Sequence, residues 1–170
     1  MILFIDCGDT LCDESTEVRL VPGGVVQKAS LFPGAAETIE QIHALGIPIC
    51  LVADGLDASF QVILRNVIGC FDGWVTSEAV GAEKPSPLMF EAAMKAMELS
   101  DSDKPQILMV GNNVRKDIAG ANRFGILSVL ADYSPRYDMT PHAPDEVPRF
   151  ILHDICDLPA LIRHLETQKN

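Results

Sequence analysis

The sequence predicts an α/β fold with a doubly wound parallel sheet covered by helices on both faces. Short apolar runs alternate with amphipathic helical patterns along the 170 residues. The apolar runs are continuous instead of alternating with polar residues, which is typical of parallel strands buried on both faces. An alternation of strands and helices in turn favours right-handed crossovers and a parallel sheet. We expect a five-stranded core.

Six runs are candidate strands, and the polar residues that follow three of them are the informative ones. The stronger runs are residues 2–5, 48–53, 107–110 and 127–130, and the weaker ones are 74–76 and 150–152. Ligands of doubly wound sheets bind beyond the carboxyl ends of the strands. The residues that directly follow a run, or follow it within two positions, include Asp6, Asp54 and Asn112. We expect these three side chains to lie at one edge of the sheet.

Amphipathic helices are predicted in three of the intervals. Apolar residues at the spacing i, i+3, i+4 and i+7 follow Asp57, Ser86 and Asp157. Serine and aspartate favour the N-cap position, so these three residues are predicted to begin the helices.

Residues 12–33 interrupt this alternation. Pro22-Gly23-Gly24 separates two β-branched stretches, which predicts a hairpin. Because the hairpin leaves the sheet just after Asp6, we expect it to form a flap over the site. Residues 131–149 are rich in Pro, Asp, Tyr and Arg and predict a long ordered loop. With no linker or repeat in the sequence, residues 1–170 are predicted to form a single domain.

Charge and cysteine content limit the partners and the compartment. The net charge of −11 argues against nucleic acid and anionic membranes as partners. Five cysteines without a CxxC pair favour a reducing, cytoplasmic setting. No apolar stretch approaches the ~18 residues of a transmembrane helix. A cysteine phosphatase built on Cys7 would need an arginine six positions later, where Asp13 stands.

Five polar residues form the candidate site. Each lies at a predicted strand end or in the loop beyond one: Asp6, Thr10, Lys84, Asn112 and Asp117. A carboxylate at such a position can attack phosphorus or hold Mg²⁺. A nearby lysine can neutralise a carboxylate and a phosphate together. The pattern therefore indicates phosphate chemistry.

Four motifs in order resemble those of the haloacid dehalogenase (HAD) superfamily, most of whose members are Mg²⁺-dependent phosphotransferases. They are "FIDCGDTL" (4–11), "LVADG" (51–55), "GAEKPSPLMF" (81–90) and "LMVGNNVRKDIAGANRFGI" (108–126). The resemblance covers essentially the whole chain and implies a Rossmann-like, HAD-like fold.

The resemblance also implies a role for each site residue. Asp6 would be the nucleophile that forms an aspartyl-phosphate, Lys84 would bind phosphate and orient Asp6, and Thr10 would stabilise the turn. Mg²⁺ would be held by Asp6, the backbone carbonyl of Gly8, Asn112 and Asp117. Phosphate would also lie against the second motif, at Ala53, Asp54 and Gly55.

Three residues depart from the family pattern. Gly8 replaces a second Asp that serves as acid and base, and proton-transfer groups contribute on the order of 10²–10⁴-fold in rate. Ala53 replaces a Ser or Thr that binds phosphate. Asn112 replaces a usual Asp and lowers the negative charge of the site.

These departures leave alternatives open. The leading interpretation is a Mg²⁺-dependent phosphomonoester phosphatase that is slow, or that uses Asp9, Asp13 or Glu14 as a substitute acid. A second is a catalytically impaired module that binds a phospho-ligand or a protein. A third is phosphotransfer that stops at the phospho-enzyme, as in the P-type ATPases that resemble this family.

The spacing of the motifs leaves no room for the cap domain that relatives insert between them. A capless member is expected to act on a phosphorylated small molecule or a phosphoprotein, and homo-oligomerisation is one way to close its site. The dehalogenase branch binds halide through cap residues, so this reaction is not favoured.

Overall fold

The computed structural model of the chain describes residues 1–168. Its strands are β1 Ile2–Ile5, β2 Cys12–Arg19, β3 Val26–Leu31, β4 Ile49–Ala53, β5 Gly73–Thr76, β6 Ile107–Gly111, β7 Leu127–Ala131 and β8 Phe150–Leu152. Its α-helices are α1 Ala35–Ala44, α2 Asp57–Ile63, α3 Ser77–Val80, α4 Pro87–Ala96, α5 Ala119–Phe124 and α6 Leu158–Thr167.

The central sheet is parallel, in the strand order β5-β4-β1-β6-β7-β8. The predicted fold class is therefore confirmed, but the sheet has six strands and the predicted count of five was wrong. The short edge strand β8, one of the two weaker candidates, pairs its residues Phe150–Leu152 with Val129–Ala131 of β7. Its three residues are all apolar, so the weakness of its signal lies in its length.

Helices cover both faces because neighbouring side chains of a strand point in opposite directions. Leu3 and Ile5 are buried in one apolar cluster with residues of α1, α2 and α6. Phe4 is buried in the other cluster with residues of α4 and α5. Burial of each such side chain contributes about 1.5–3 kcal/mol, so β1 is fixed between the two layers.

The chain changes direction across the sheet at β1, which lies between β4 and β6. Such a switch point opens a crevice at the carboxyl ends of the strands. Asp6, Asp54 and Asn112 directly follow β1, β4 and β6. They therefore share the edge that the sequence predicted.

The predicted hairpin is present as the antiparallel pair of β2 and β3. Its base is anchored by Cys12, which is fully buried. Its other end is also anchored, because Val26, which pairs with Arg19 beside the turn, is fully buried and donates its amide to Ser59 Oγ at 3.0 Å. Only the connecting turn is open to solvent, and Leu20 there is 82% exposed.

The predicted helix starts are partly correct. Ser86 is the N-cap of α4, and its side chain accepts from the Leu88 amide. Asp157 precedes α6 without a side-chain cap hydrogen bond. Asp57 is the first residue of α2, not its cap, because its carboxylate accepts from Trp74 Nε1 at 2.7 Å. Across residues 1–168, no helix is both long enough and apolar enough to cross a membrane.

Candidate active site

A buried lysine joins two carboxylates where β1 and β6 end. Lys84 Nζ lies 2.8 Å from Asp6 Oδ1 and 2.7 Å from Asp117 Oδ1. The side chains of Lys84 and Asp117 are each 1% exposed, whereas that of Asp6 is 13% exposed. Asp6 Oδ2 accepts no hydrogen bond from residues 1–168. The structure thus brings three predicted site residues together and leaves one oxygen of Asp6 available.

Burial and charge act in opposite directions on this cluster. Burial raises the pKa of Asp6 to about 7, even though the Lys84 ammonium lowers it. Burial alone would lower the pKa of Lys84, but the carboxylates of Asp117, Asp6 and Asp54 raise it well above its usual value. Lys84 therefore stays charged and is the counter-ion of a carboxylate that burial would otherwise neutralise.

Asp54 fixes the segment that carries Lys84. Its Oδ1 accepts from the Lys84 backbone amide at 3.0 Å, and its Oδ2 accepts from Lys116 Nζ at 3.1 Å. Lys84 Nζ also donates to the Val52 carbonyl at 2.8 Å. The end of β4 thus positions the lysine from two directions.

A single π-helical turn, Val114–Ile118, places Asp117 in the site. Asn113 caps this turn, because its side-chain oxygen accepts from the Arg115 and Lys116 amides at 3.0 and 3.1 Å. In return, Asp117 Oδ2 accepts from the Asn113 amide at 3.0 Å. A Cβ atom at Gly111 would lie 2.3 Å from the Asp117 carboxylate, so glycine is required there.

The opposite side of the site is built around Gly8. A Cβ atom at Gly8 would lie 1.9 Å from Glu14 Oε1, so the Glu14 carboxylate fills the space beside this glycine. Burial, together with the carboxylates of Asp9 and Glu17, raises the pKa of Glu14. The position that lacks a side chain is therefore occupied by a carboxylate from β2.

Asp9 is buried, and both of its carboxylate oxygens accept hydrogen bonds. It is 1% exposed, its backbone lies in the left-handed region at φ 48°, and one of its carboxylate oxygens accepts from Arg136 Nε. The other oxygen accepts from the Glu14 amide at 3.2 Å. Asp13 is turned to solvent and accepts from the Ser15 amide at 2.9 Å. Of the three predicted substitute acids, Glu14 lies in the site, and neither Asp9 nor Asp13 lines the cavity described below.

Thr10, Ala53 and Gly55 are three further predicted positions of the site. Thr10 is fully buried, and its hydroxyl has no hydrogen-bond partner among residues 1–168, whereas its carbonyl accepts from Tyr133 Oη at 2.6 Å. Ala53 is buried in the core and does not reach the cavity. The Gly55 amide donates to Ser77 Oγ at 2.8 Å, so this amide is already paired.

A cavity of about 250 Å³ opens beside these groups. Its apolar wall includes Leu56, Phe60 and Ile63, and residues of the hairpin close the other side. Five carboxylates and three cations line it, namely Asp6, Glu14, Glu17, Asp54 and Asp117 against Arg19, Lys84 and Lys116. With all of these groups ionised, the negative charges exceed the positive ones by two, so a further cation beside a phosphate would reduce the repulsion.

The oxygen atoms of the site are of the chemical types that bind a hard cation such as Mg²⁺. Asp6 and Asp117 supply carboxylates and Asn112 an amide oxygen, beside the backbone of Gly8, and such oxygens are the ligands of Mg²⁺. Asn112 is 2% exposed, and its Nδ2 has no partner among residues 1–168. Within the same residues, no group of three or more His, Cys, Asp or Glu side chains is arranged to hold a metal ion. Any metal here would therefore depend on the neutral oxygens as well as on the two carboxylates.

Sequence reasoning missed Lys116 and Arg136. Lys116 lies within the fourth motif and joins Asp54 to Glu83, at 3.1 and 2.8 Å. Its position one residue before Asp117 was the signal that could have indicated it. Arg136 lies in the 131–149 loop, which reaches the site by a contact that spans 127 positions of sequence. No local pattern marks such a residue.

Comparison with known proteins finds a matching family and sequence relatives of this chain. The sequence model of a family described as haloacid dehalogenase-like hydrolase matches residues 8–125. A ribulose-1,5-bisphosphate 5-phosphatase from Halopiger xanaduensis is 34% identical over 121 residues, which are 69% of this chain and 49% of that protein. A glyceraldehyde 3-phosphate phosphatase from Methanopyrus kandleri is 29% identical over 136 residues, which are 79% of this chain and 57% of that protein. The chain spans about half the length of these curated relatives.

Among solved structures, a protein from Listeria monocytogenes superposes on this chain with a TM-score of 0.78. The two chains are 24% identical, and the match covers 98% of this chain and 99% of the other. At this level of identity the likeness concerns the fold.

Proposed function

We propose that this chain, which belongs to the haloacid dehalogenase-like hydrolases, hydrolyses phosphomonoesters through an aspartyl-phosphate on Asp6. The family predicted from the four motifs is confirmed by the match over residues 8–125. One observation carries the proposal: Lys84 holds Asp6 by one oxygen at 2.8 Å, and the other oxygen is free of hydrogen bonds from residues 1–168. Such a carboxylate is oriented for attack on phosphorus.

The neighbouring groups support the same chemistry. Lys84 is positioned to stabilise charge on the phosphate as the bond from Asp6 to phosphorus forms. The buried Nδ2 of Asn112, unpartnered within residues 1–168, can donate to a phosphate oxygen. These donors take the place of the hydroxyl that Ala53 does not supply.

Mg²⁺ is the proposed cofactor. Asp6, Asp117, Asn112 and the backbone carbonyl of Gly8 are the proposed oxygen donors. The excess of two negative charges around the cavity supports a divalent cation. When bound, Mg²⁺ supplies positive charge beside the phosphate oxygens.

The proposed substrate class is a small phosphorylated carbohydrate. The cavity volume of about 250 Å³ suits a small molecule, and the two named relatives are phosphatases of a sugar bisphosphate and of a triose phosphate. Phosphoprotein substrates, a capless architecture, homo-oligomerisation and a cytoplasmic location stay predictions of the sequence.

The test is Mg²⁺-dependent release of phosphate from 4-nitrophenyl phosphate and from a panel of phosphorylated sugars with two to five carbon atoms. Asp6→Asn should reduce turnover by roughly 10⁴-fold or more, because the amide cannot attack phosphorus. Asp13→Asn is the matched control, since Asp13 lies outside the cavity. Equal rates for Asp6→Asn and the unchanged protein would overturn the proposal.

The competing candidate is a module that binds phosphate without turnover. It is favoured by the pairing of the Gly55 amide with Ser77, which leaves fewer donors for phosphate at the end of β4. It predicts that calorimetry detects phosphate binding while no member of the panel is hydrolysed. Turnover that is lost in Asp6→Asn would exclude it.

A further inference from the structure

The space beside Gly8 is filled by the side chain of Glu14. A Cβ atom at Gly8 would lie 1.9 Å from Glu14 Oε1 and 2.9 Å from Glu14 Cδ. Any side chain at position 8 would therefore displace the Glu14 carboxylate. Glycine at position 8 and glutamate at position 14 form a matched pair that brings a carboxylate from the hairpin to the turn after β1.

The carboxylates that line the cavity differ in their partners. Four of the five lie within 3.1 Å of a cation: Asp6 and Asp117 of Lys84, Asp54 of Lys116 and Glu17 of Arg19. The Glu14 carboxylate has a looser ion pair, in which Arg136 Nε lies 3.7 Å from its Oε2, and it accepts no hydrogen bond within residues 1–168. Glu14 is 32% exposed by side chain and lines the cavity, so its oxygens are open to a bound molecule.

The carboxylates of Asp9 and Asp13, the two other predicted substitute acids, are not open to a molecule in the cavity. The buried carboxylate of Asp9 is bound by Arg136 and by the Glu14 amide. The carboxylate of Asp13 is bound by Ser15 and lies outside the cavity. The base of the hairpin, which carries Glu14, is anchored by Cys12 in the core.

We propose that Glu14 is the proton-transfer residue of this site, a role that rests on the proposed phosphatase function. In the first step an Asp6 oxygen bonds to phosphorus, the bond from phosphorus to the leaving oxygen breaks, and the Glu14 carboxyl gives its proton to that oxygen. In the second step water attacks phosphorus, the bond from Asp6 to phosphorus breaks, and the Glu14 carboxylate takes a proton from the water. Inorganic phosphate leaves, and both carboxyl groups return to their starting states.

Leaving-group dependence tests the first step. Phenolate leaves poorly without a proton, whereas 4-nitrophenolate leaves readily. Glu14→Gln should therefore lower kcat/KM for phenyl phosphate on the order of 10²–10³-fold. The same variant should lower kcat/KM for 4-nitrophenyl phosphate by less than about tenfold, since that step needs little acid catalysis.

Burst kinetics test the second step. Without a base for water, the phospho-enzyme should accumulate, so Glu14→Gln should release about one 4-nitrophenol per protein molecule before a slow steady state. A change that only disturbed the fold would lower both phases and give no burst. Asp13→Asn, on the same strand but outside the cavity, should behave as the unchanged protein.

A double variant that moves the carboxylate from position 14 to position 8 tests the same role without relying on the folding of Glu14→Gln. Gly8→Asp combined with Glu14→Gly moves a carboxylate to position 8 and removes the clash. This double variant should hydrolyse phenyl phosphate at least about tenfold faster than Glu14→Gly alone, because proton transfer is restored.

The two proposals fail in different ways. If the unchanged protein shows no turnover that depends on Asp6, the phosphatase function falls, and the role of Glu14 falls with it. If turnover depends on Asp6 but Glu14→Gln lowers both aryl phosphates equally, or neither, then only the role of Glu14 is overturned. If Glu14→Gln gives no burst and the double variant restores no activity, the role of Glu14 is likewise overturned.

Discussion

The two sides of the cavity hold their carboxylates by different means. On the Lys84 side, a lysine that is 1% exposed joins Asp6 to Asp117 at the ends of neighbouring strands. On the Glu14 side, Arg136 is 38% exposed and reaches Asp9 from a loop 127 positions away in sequence. The first side is built around a buried cation, and the second is assembled from a turn, a hairpin and a loop around a partly exposed cation.

This difference separates the side that is proposed to orient the nucleophile from the side that is proposed to transfer protons. A buried ion pair is costly to break, because the remaining charge loses its only nearby compensation. A half-exposed cation is screened by water, so its removal costs less. The variants below test this contrast.

The largest effect is expected from Lys84→Met. It leaves the carboxylates of Asp6 and Asp117 buried without their shared ammonium, so the free energy of unfolding should fall by about 3–5 kcal/mol. Urea denaturation at neutral pH without divalent cations measures this change. Lys116→Met is the matched control, because Lys116 also holds Asp54 but is 39% exposed, and it should cost about 1 kcal/mol or less. Equal losses for the two variants would contradict the contrast.

A smaller loss of stability is expected from Arg136→Met. Asp9 is 1% exposed and would lose its cation, but Arg136 itself is partly in water, so the loss should be about 2 kcal/mol. Urea denaturation again gives the value. Arg115→Met removes a cation of the turn Val114–Ile118 from an exposed pair with Asp138 of the same loop, and it should matter far less. If the Arg136 variant were as stable as the Arg115 variant, the ion pair of Arg136 with Asp9 would not be what stabilises the Glu14 side.

Asn112→Asp tests whether Asn112 is a ligand of the proposed Mg²⁺. A third carboxylate beside Asp6 and Asp117 should tighten the apparent affinity for Mg²⁺ by about tenfold, because affinity rises with the charge of the oxygen ligands. Calorimetric titration with Mg²⁺ measures it, with Asn113→Asp as a neighbouring control. An unchanged or weaker affinity would remove Asn112 from the proposed ligand set.

The smallest effect is expected from Tyr133→Phe. The variant loses the 2.6 Å hydrogen bond to the Thr10 carbonyl but keeps the ring contact with Phe32. The expected cost is about 1 kcal/mol in the free energy of unfolding. A loss as large as that of Arg136→Met would show that Tyr133, more than Arg136, joins the loop to the turn.

The Lys84 side could be predicted from the sequence because strand periodicity and motif spacing are local signals. Asp6 and Asn112 directly follow β1 and β6, and parallel strands bring their carboxyl ends to one edge of the sheet. The number of strands in the sheet was underestimated, since a run of three residues such as β8 is a weak signal for a strand.

The Glu14 side could be predicted only in part. The sequence showed that Gly8 lacks a carboxylate and named three substitutes, but their choice depends on how β2 folds back over the turn. Arg136 fixes Asp9 through a contact that no residue spacing reveals. The side chains of Thr10 and Ala53 are both enclosed by the core, a setting that their positions in the motifs do not reveal.

The hairpin has a consequence for how such a protein diversifies. Its base, with Cys12 in the core, carries Glu14, whereas the turn around Leu20 is in solvent. Loop tips of this kind tolerate insertion and exchange. Grafting a longer or differently charged tip would therefore alter which molecules are admitted while the reacting groups stay in register. Selectivity and chemistry can evolve separately on one pair of strands.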